Sequence, residues 1–184
     1  MLLTKKLEPW ESHPELWKTP AAFWAYLRGG IRLIWSRYPA KLKWKSAQLV
    51  APPQGYTGRA KKVGQCSYCL GIFAASSLEV DHVLQVGSLN SWESVTTFMK
   101  NLLDTNNNWV LACKPCHKTK SYSDRTGLGF KDALAEKKAI EFMKSHNTKQ
   151  QLDYLKGLQY NISPLTNATK RRAALVEIFK KELT

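Results

Sequence analysis

The chain has 184 residues and a formal net charge of +14, from 28 Lys and Arg against 14 Asp and Glu. Its hydrophobic content of 43% is enough for a folded core, which excludes a disordered chain. No apolar run approaches the roughly 18 residues that a membrane span needs, and residues 1–6 lack the apolar core of a secretion signal. We therefore expect a cytoplasmic protein whose partner is a polyanion, most commonly nucleic acid.

The basic residues are concentrated in the first third of the chain. Between Glu15 and Glu79 there is no acidic residue, whereas a solvated surface normally mixes both signs. Residues 1–63 are therefore predicted to be a basic, Trp/Arg-rich DNA-binding segment, with its aromatic residues mainly in core packing. The candidate DNA-binding residues of this segment are Arg28, Arg32, Arg37, Lys41, Lys43, Lys45, Arg59, Lys61 and Lys62.

The first regular element is a helix that begins at Pro20, since proline suits a first helical position. Trp24 and Ile31 follow at helical spacing and give one apolar stripe. Glycine weakens a helix by roughly 1 kcal/mol relative to alanine. Gly29 and Gly30 therefore indicate a kink or the close approach of another backbone.

The next stretch alternates in polarity. Lys41, Lys43 and Lys45 are separated by Leu42 and Trp44, a period of two that is typical of a strand or an extended arm. We expect this arm to present its lysines to DNA phosphates.

Four cysteines form two Cys-x-x-Cys pairs, and the chain has no other cysteine. In a chain without a secretion signal, this pattern indicates a metal site rather than disulfides. We expect a structural zinc ion bound by four thiolates, a closed site with no position for a catalytic water. The ligands are Cys66, Cys69, Cys113 and Cys116.

The stretch between the pairs is predicted to hold a strand over residues 77–83 that ends at Asp81 and His82. A helix capped by Ser91 follows, and then a second short strand over residues 108–112. After the second cysteine pair, a helix carries His117 together with two further candidate DNA-binding residues, Lys118 and Lys120.

The last third of the chain has helical patterning throughout. Its basic cluster, Lys170, Arg171 and Arg172, leaves two interpretations open. The segment is either a packing appendage or an additional DNA-contacting module.

At these motifs the sequence resembles the HNH endonuclease family. His82 matches the first His of the family motif, Asn108 its Asn and His117 its last His, and the cysteines match the variety that contains zinc. The resemblance implies an α+β fold with a central ββα-metal finger and structural zinc knuckles, flanked by mainly helical segments. It gives three regions: residues 1–63, the HNH nuclease domain at 64–126 and a helical segment at 127–184. The flanks are similar to small phage-encoded homing endonucleases.

The residue types agree with phosphodiester hydrolysis. His82 is the candidate base, because an unperturbed imidazole has a pKa of about 6.5 and accepts a proton from water near neutral pH. Asp81 and His117 are candidate ligands of a catalytic divalent ion, Mg²⁺ or Mn²⁺, that polarises the scissile phosphate. The resemblance implies that Asn108 fixes the loop and orients the base.

The function predicted from these features is metal-dependent endonucleolytic cleavage of double-stranded DNA, with a homing endonuclease as the expected subtype. Alternatives are a non-catalytic zinc-finger DNA-binding protein, an RNA-binding or RNA-processing module, and an HNH nuclease for restriction or phage DNA packaging. A pure binding protein would need the cysteines and the basic residues but not Asp81, His82 and His117.

Overall fold

The computed structural model describes residues 7–104 and 107–183. The chain folds into two compact units, Met1–Cys113 and Lys114–Thr184. The described part is an α+β protein with short antiparallel strand pairs, which confirms the predicted fold class. In the first unit the helices are α1 (Pro9–Ser12), α2 (Pro20–Ser36), α3 (Pro39–Ala47) and α4 (Trp92–Leu103), and the strands are β1 (Val63–Gln65), β2 (Ile72–Ala74), β3 (Leu78–His82) and β4 (Trp109–Cys113).

Helix α2 begins at Pro20, as predicted, and the Thr19 hydroxyl caps it by accepting a hydrogen bond from the Ala22 N–H at 3.2 Å. Its buried face places Trp24 and Ile31 in a core with Leu89, Phe98 and Leu102. The helix continues through Gly29 and Gly30, and a Cβ at either position would meet no atom within 4 Å. Among the described residues, the close backbone approach predicted at these glycines is therefore not found, and the alternative, a kink, stays a prediction.

The alternating lysine stretch is also a helix, α3, and the predicted strand or extended arm is wrong. Pro39 occupies the first helical position, where its fixed φ favours a helix and its missing N–H costs nothing. Ala, Lys and Leu are good helix formers, so intrinsic preference outweighs a short period of two. As a result, Lys41 and Lys45 share one helix face, whereas Lys43 points to another.

The strands form two antiparallel pairs. Strands β1 and β2 flank the first cysteine pair, and β3 pairs with β4 in a register that sets Leu78 opposite Cys113 and His82 opposite Trp109. Gly64 lies where β1 approaches the second strand pair, and a Cβ there would be 2.8 Å from a Leu111 methyl and 2.9 Å from a Leu78 methyl. Glycine at this position thus permits the packing of the two strand pairs.

The second unit is helical, as predicted for the last third. Its core contains Ala135, Ala139, Leu155, Leu175 and Phe179. No helix in residues 7–104 and 107–183 is long and apolar enough to cross a membrane. The helices of this unit are α5 (Lys114–Thr126), α6 (Phe130–Ser145), α7 (Thr148–Gly157) and α8 (Ala168–Lys181).

Candidate functional site

The four cysteines converge as their spacing predicts. The Sγ atoms of Cys66, Cys69, Cys113 and Cys116 all lie within 4.8 Å of one another, and all four thiols are free of disulfides. A tetrahedral zinc ion with Zn–S bonds of about 2.3 Å needs sulfur atoms about 3.8 Å apart. The Cys69 and Cys113 sulfurs are 3.9 Å apart. The cluster could therefore hold a zinc ion.

Two local features build the first half of this cluster. The chain turns tightly after Cys66, because the Cys66 N–H donates to the Gly71 carbonyl and the Leu70 N–H to the Cys66 carbonyl, both at 2.9 Å. Leu70 takes a left-handed conformation, with φ of 60°, to close the turn. The resulting knuckle directs both of its sulfurs to the same side.

The thiol of Cys66 ionises easily. Burial raises its pKa, but backbone hydrogen bonds, chiefly from the Cys113 N–H at 3.3 Å, outweigh that effect and lower the pKa from 9.0 to about 7. A thiolate is the form that binds metal. The lowered pKa of Cys66 and the distances between the sulfur atoms thus both agree with a metal site formed by the four thiols.

Asp81 and His82 end strand β3 and are both buried, with 8% and 9% of their surfaces exposed. Within the first unit, the Asp81 Oδ2 accepts a hydrogen bond of 2.8 Å from the hydroxyl of Tyr68. Tyr68 lies in the knuckle between Cys66 and Cys69, so the cysteine turn and the carboxylate are physically linked.

The imidazole of His82 is held from two sides. Its Nε2 lies 2.9 Å from the backbone carbonyl of Leu102, at the end of α4, and its ring centroid is 4.6 Å from that of Trp35. A carbonyl oxygen can only accept, so Nε2 carries the proton when the ring is neutral. The other nitrogen, Nδ1, is then the basic one.

Asn108 precedes β4 and accepts two backbone hydrogen bonds from the chain that follows His82. Its side-chain Oδ1 accepts from the Leu84 N–H at 2.7 Å, and its carbonyl accepts from the Val83 N–H at 2.8 Å. Asn108 is buried, with 8% exposed. Asp81, His82 and Asn108 therefore lie together at one end of the β3–β4 pair. Residues 105 and 106, which precede Asn108 in the sequence, lie outside the described residues.

His117 lies in the first turn of α5, which begins directly after β4, and is partly exposed. A helix carrying His117 was predicted to follow the second cysteine pair, but the observed helix begins at Lys114, inside the pair, and includes Cys116. Its part in metal binding stays a prediction.

The predicted DNA-binding residues fall into two groups. Four of them make internal contacts: the Arg28 guanidinium donates to the Leu89 carbonyl, Lys41 to Ser36, Lys45 to Leu78, and Lys120 to Asp124. Burial lowers the pKa values of Lys41 and Lys45. The exposed ones are Arg32, Arg37, Lys43, Arg59, Lys61, Lys62 and Lys118.

Sequence reasoning missed two side chains that contact the candidate residues. The contact of Tyr68 with Asp81 could not be predicted, because nothing in a Cys-x-x-Cys turn indicates where the side chains of its middle residues point. Trp35 falls at apolar spacing on a helix, and that periodicity cannot show its ring lying against His82.

Residues 66–123 match the family model described as HNH endonuclease. The matched segment begins at Cys66, includes Asp81, His82 and Asn108, and ends within α5 after His117. No curated protein and no solved structure matches the chain. The family match and the convergent cysteines agree with the resemblance that the sequence motifs indicate. The central segment of this chain, residues 66–123, is therefore similar to the HNH endonuclease family.

Proposed function

We propose that this protein is a metal-dependent endonuclease that hydrolyses phosphodiester bonds in duplex DNA. The observation that supports it best is the fixed orientation of His82 inside the segment that matches the HNH family. A histidine whose Nε2 is bonded to a backbone carbonyl has Nδ1 as its basic nitrogen, as a general base requires.

His82 acts as the general base in this proposal. Its Nδ1 takes the proton of the attacking water while the Nε2–H stays bonded to the Leu102 carbonyl. The hydrogen bond also stabilises the imidazolium that forms, because the carbonyl dipole is directed at the charged ring. Trp35 restricts the ring to this orientation.

Asp81 and His117 are the proposed holders of a catalytic divalent ion. A carboxylate and an imidazole suit Mn²⁺, and the carboxylate also suits Mg²⁺, which commonly completes its shell with water and substrate phosphate. A bound ion would supply Lewis acidity at the scissile phosphate and stabilise the leaving oxygen. Tyr68 orients the Asp81 carboxylate through its hydroxyl.

Asn108 and the cysteines have positioning roles. By accepting the Leu84 N–H and the Val83 N–H, Asn108 fixes the chain immediately after His82. A structural zinc in the cysteine cluster would fix the Cys66–Cys69 knuckle and thereby the position of Tyr68. These two contacts hold the base and the carboxylate at the end of β3.

The biological setting is proposed from the flanks of the nuclease segment. The resemblance to phage-encoded homing endonucleases that their sequence suggests favours a nuclease that cuts DNA in the host cytoplasm, with residues 1–63 binding DNA, 64–126 cleaving it and 127–184 forming a helical extension. Restriction and phage DNA packaging are the alternative roles.

The direct test is cleavage of supercoiled plasmid and linear phage DNA by the purified full-length protein, with Mg²⁺, with Mn²⁺ and without added metal. We expect metal-dependent nicked or linear products, with the His82→Ala variant as the inactive control. End mapping then shows whether one strand or both are cut. Binding of DNA without cleavage under every metal condition would instead favour the zinc-finger DNA-binding protein, and cleavage restricted to RNA would favour the RNA-processing module.

Tyr68→Phe is expected to weaken metal binding without loss of the fold. The substitution removes the hydroxyl that orients Asp81, and loss of such a partner costs about 10-fold or more in metal affinity. Direct Mn²⁺ binding, followed by electron paramagnetic resonance, should show this shift, and the Mn²⁺ concentration for half-maximal cleavage should rise in parallel.

Tyr26→Phe is the matched control, because Tyr26 is 68% exposed. Zinc content should be the same in both variants. Wild-type Mn²⁺ affinity in Tyr68→Phe would contradict the role proposed for Tyr68.

A further inference from the structure

The second unit, residues 114–184, carries an excess of positive charge that its own carboxylates do not neutralise. It contains 15 Lys and Arg against 7 Asp and Glu. Five of those carboxylates form ion pairs: Asp124 with Lys120, Asp132 with Lys180, Glu136 with Arg172, Glu177 with Lys181, and Glu182 with Lys138. Several lysines of this unit are consequently left for an external partner.

The obvious basic cluster at the start of α8 does not supply that surface. Arg171 is only 9% exposed, and its Nε donates to the Gln151 Oε1 at 2.9 Å. Arg172 donates to the Glu136 carboxylate and, at 3.1 Å, to the Tyr122 hydroxyl. These two arginines join α5, α6, α7 and α8 to one another. Of the three clustered residues, only Lys170 is exposed.

A different set of cations lies along one side of the unit. A cavity of about 350 Å³ between α6 and the start of α8 is lined by Lys144, Thr169 and Arg172 over an apolar floor that includes Ile140 and Met143. Lys137 lies seven residues before Lys144, two turns away on the same face of α6. Among the described residues, no carboxylate lies within ion-pair distance of Lys137 or Lys144.

The same side continues onto α5. Arg172 reaches the Tyr122 hydroxyl, and the guanidinium of Arg125 lies 5.3 Å from the centre of the Tyr122 ring. Lys118, seven residues before Arg125, faces the same way and is the neighbour of His117 in the sequence. Arg125, Lys137 and Lys144 thus form a basic strip across α5 and α6, beside the ion-paired Arg172 of α8.

We propose that this basic strip binds the phosphate backbone of duplex DNA, as a second contact surface of the nuclease. The inference rests on the proposed function for its choice of polyanion. Cations dispersed over two helices match a row of phosphates better than one small anion, and the cavity beside Lys144 adds apolar side chains for one sugar–phosphate unit. Because α5 also carries His117, a strand bound along the strip would lie on the helix that holds this candidate metal ligand.

The test compares two triple variants with the same loss of charge, both in the full-length His82→Ala background so that the DNA stays intact. The strip variant replaces Arg125, Lys137 and Lys144 by Gln. The control variant replaces Lys138, Lys180 and Lys181 by Gln, since all three are ion-paired within the unit. Fluorescence anisotropy with a labelled 30-base-pair duplex gives the Kd at several salt concentrations.

We expect the strip variant to bind about 10-fold or more weakly at 100 mM salt, and its salt slope to fall by up to about one per lost contact. The control variant should stay within a few-fold of the parent. Equal losses of DNA affinity in both variants would show that only net charge matters, and would contradict the proposed strip. An unchanged salt dependence of the Kd in the strip variant would also contradict it. If the His82→Ala parent protein binds no duplex DNA, both the proposed function and the strip are contradicted. If the parent binds duplex DNA and the strip variant binds it equally well, only the strip is contradicted.

Discussion

Replacing His82 by alanine should reduce DNA cleavage by about 100-fold or more, because general-base catalysis contributes at least that factor. The variant removes the nitrogen that accepts the proton of water. It should leave DNA affinity unchanged, since the side chain is buried, with 9% of its surface exposed. Single-turnover cleavage of plasmid DNA, measured together with duplex binding, separates the two effects.

The same substitution also has a structural cost. It removes a buried hydrogen bond to Leu102 and a ring contact with Trp35, which together stabilise the fold by about 1–3 kcal/mol. Cleavage must therefore be assayed at a temperature where both proteins are folded, as checked by circular dichroism. His13→Ala is the matched control, because its side chain is 60% exposed. A folded His82→Ala protein that cuts DNA at the wild-type rate would contradict the assignment of His82 as the general base.

Replacing Cys66 by serine should abolish stoichiometric zinc binding and destabilise the central segment. Structural zinc sites provide roughly 10 kcal/mol or more of apparent binding free energy, and this free energy supports folding because the unfolded chain has no preformed site. Here the strands next to the cysteines are only 3–5 residues long, so few backbone hydrogen bonds hold each strand pair together. Elemental analysis and thermal unfolding measure both consequences.

Ser67→Ala is the control for that experiment, because Ser67 is exposed in the same turn and the substitution keeps its backbone N–H, which donates to the Leu111 carbonyl. The control should retain zinc and the wild-type melting temperature. A wild-type protein that is folded and contains no zinc would disprove the metal site. Loss of zinc in Cys66→Ser with no loss of stability would show instead that the metal has no structural role.

The local assignments that succeeded rest on short-range physics. A proline at a first helical position predicted the start of α2, and a serine cap predicted the start of α4. The same kind of local evidence failed at Lys41, Lys43 and Lys45. A period of two over five residues is too short to outweigh the helical preference that Pro39 and the lysines supply.

The sequence by itself determined the cysteine cluster, the family segment and the order of its polar residues. Thiol spacing constrains which atoms can reach one metal ion, so the chemistry of the cluster is readable without coordinates. Only the tertiary structure decided which cations are free and which partners hold the site. Arg171 is buried against Gln151, Tyr68 reaches Asp81, and His82 bonds to a carbonyl 20 residues away. These contacts join residues distant in sequence, and no local pattern encodes them because they depend on how separate elements pack.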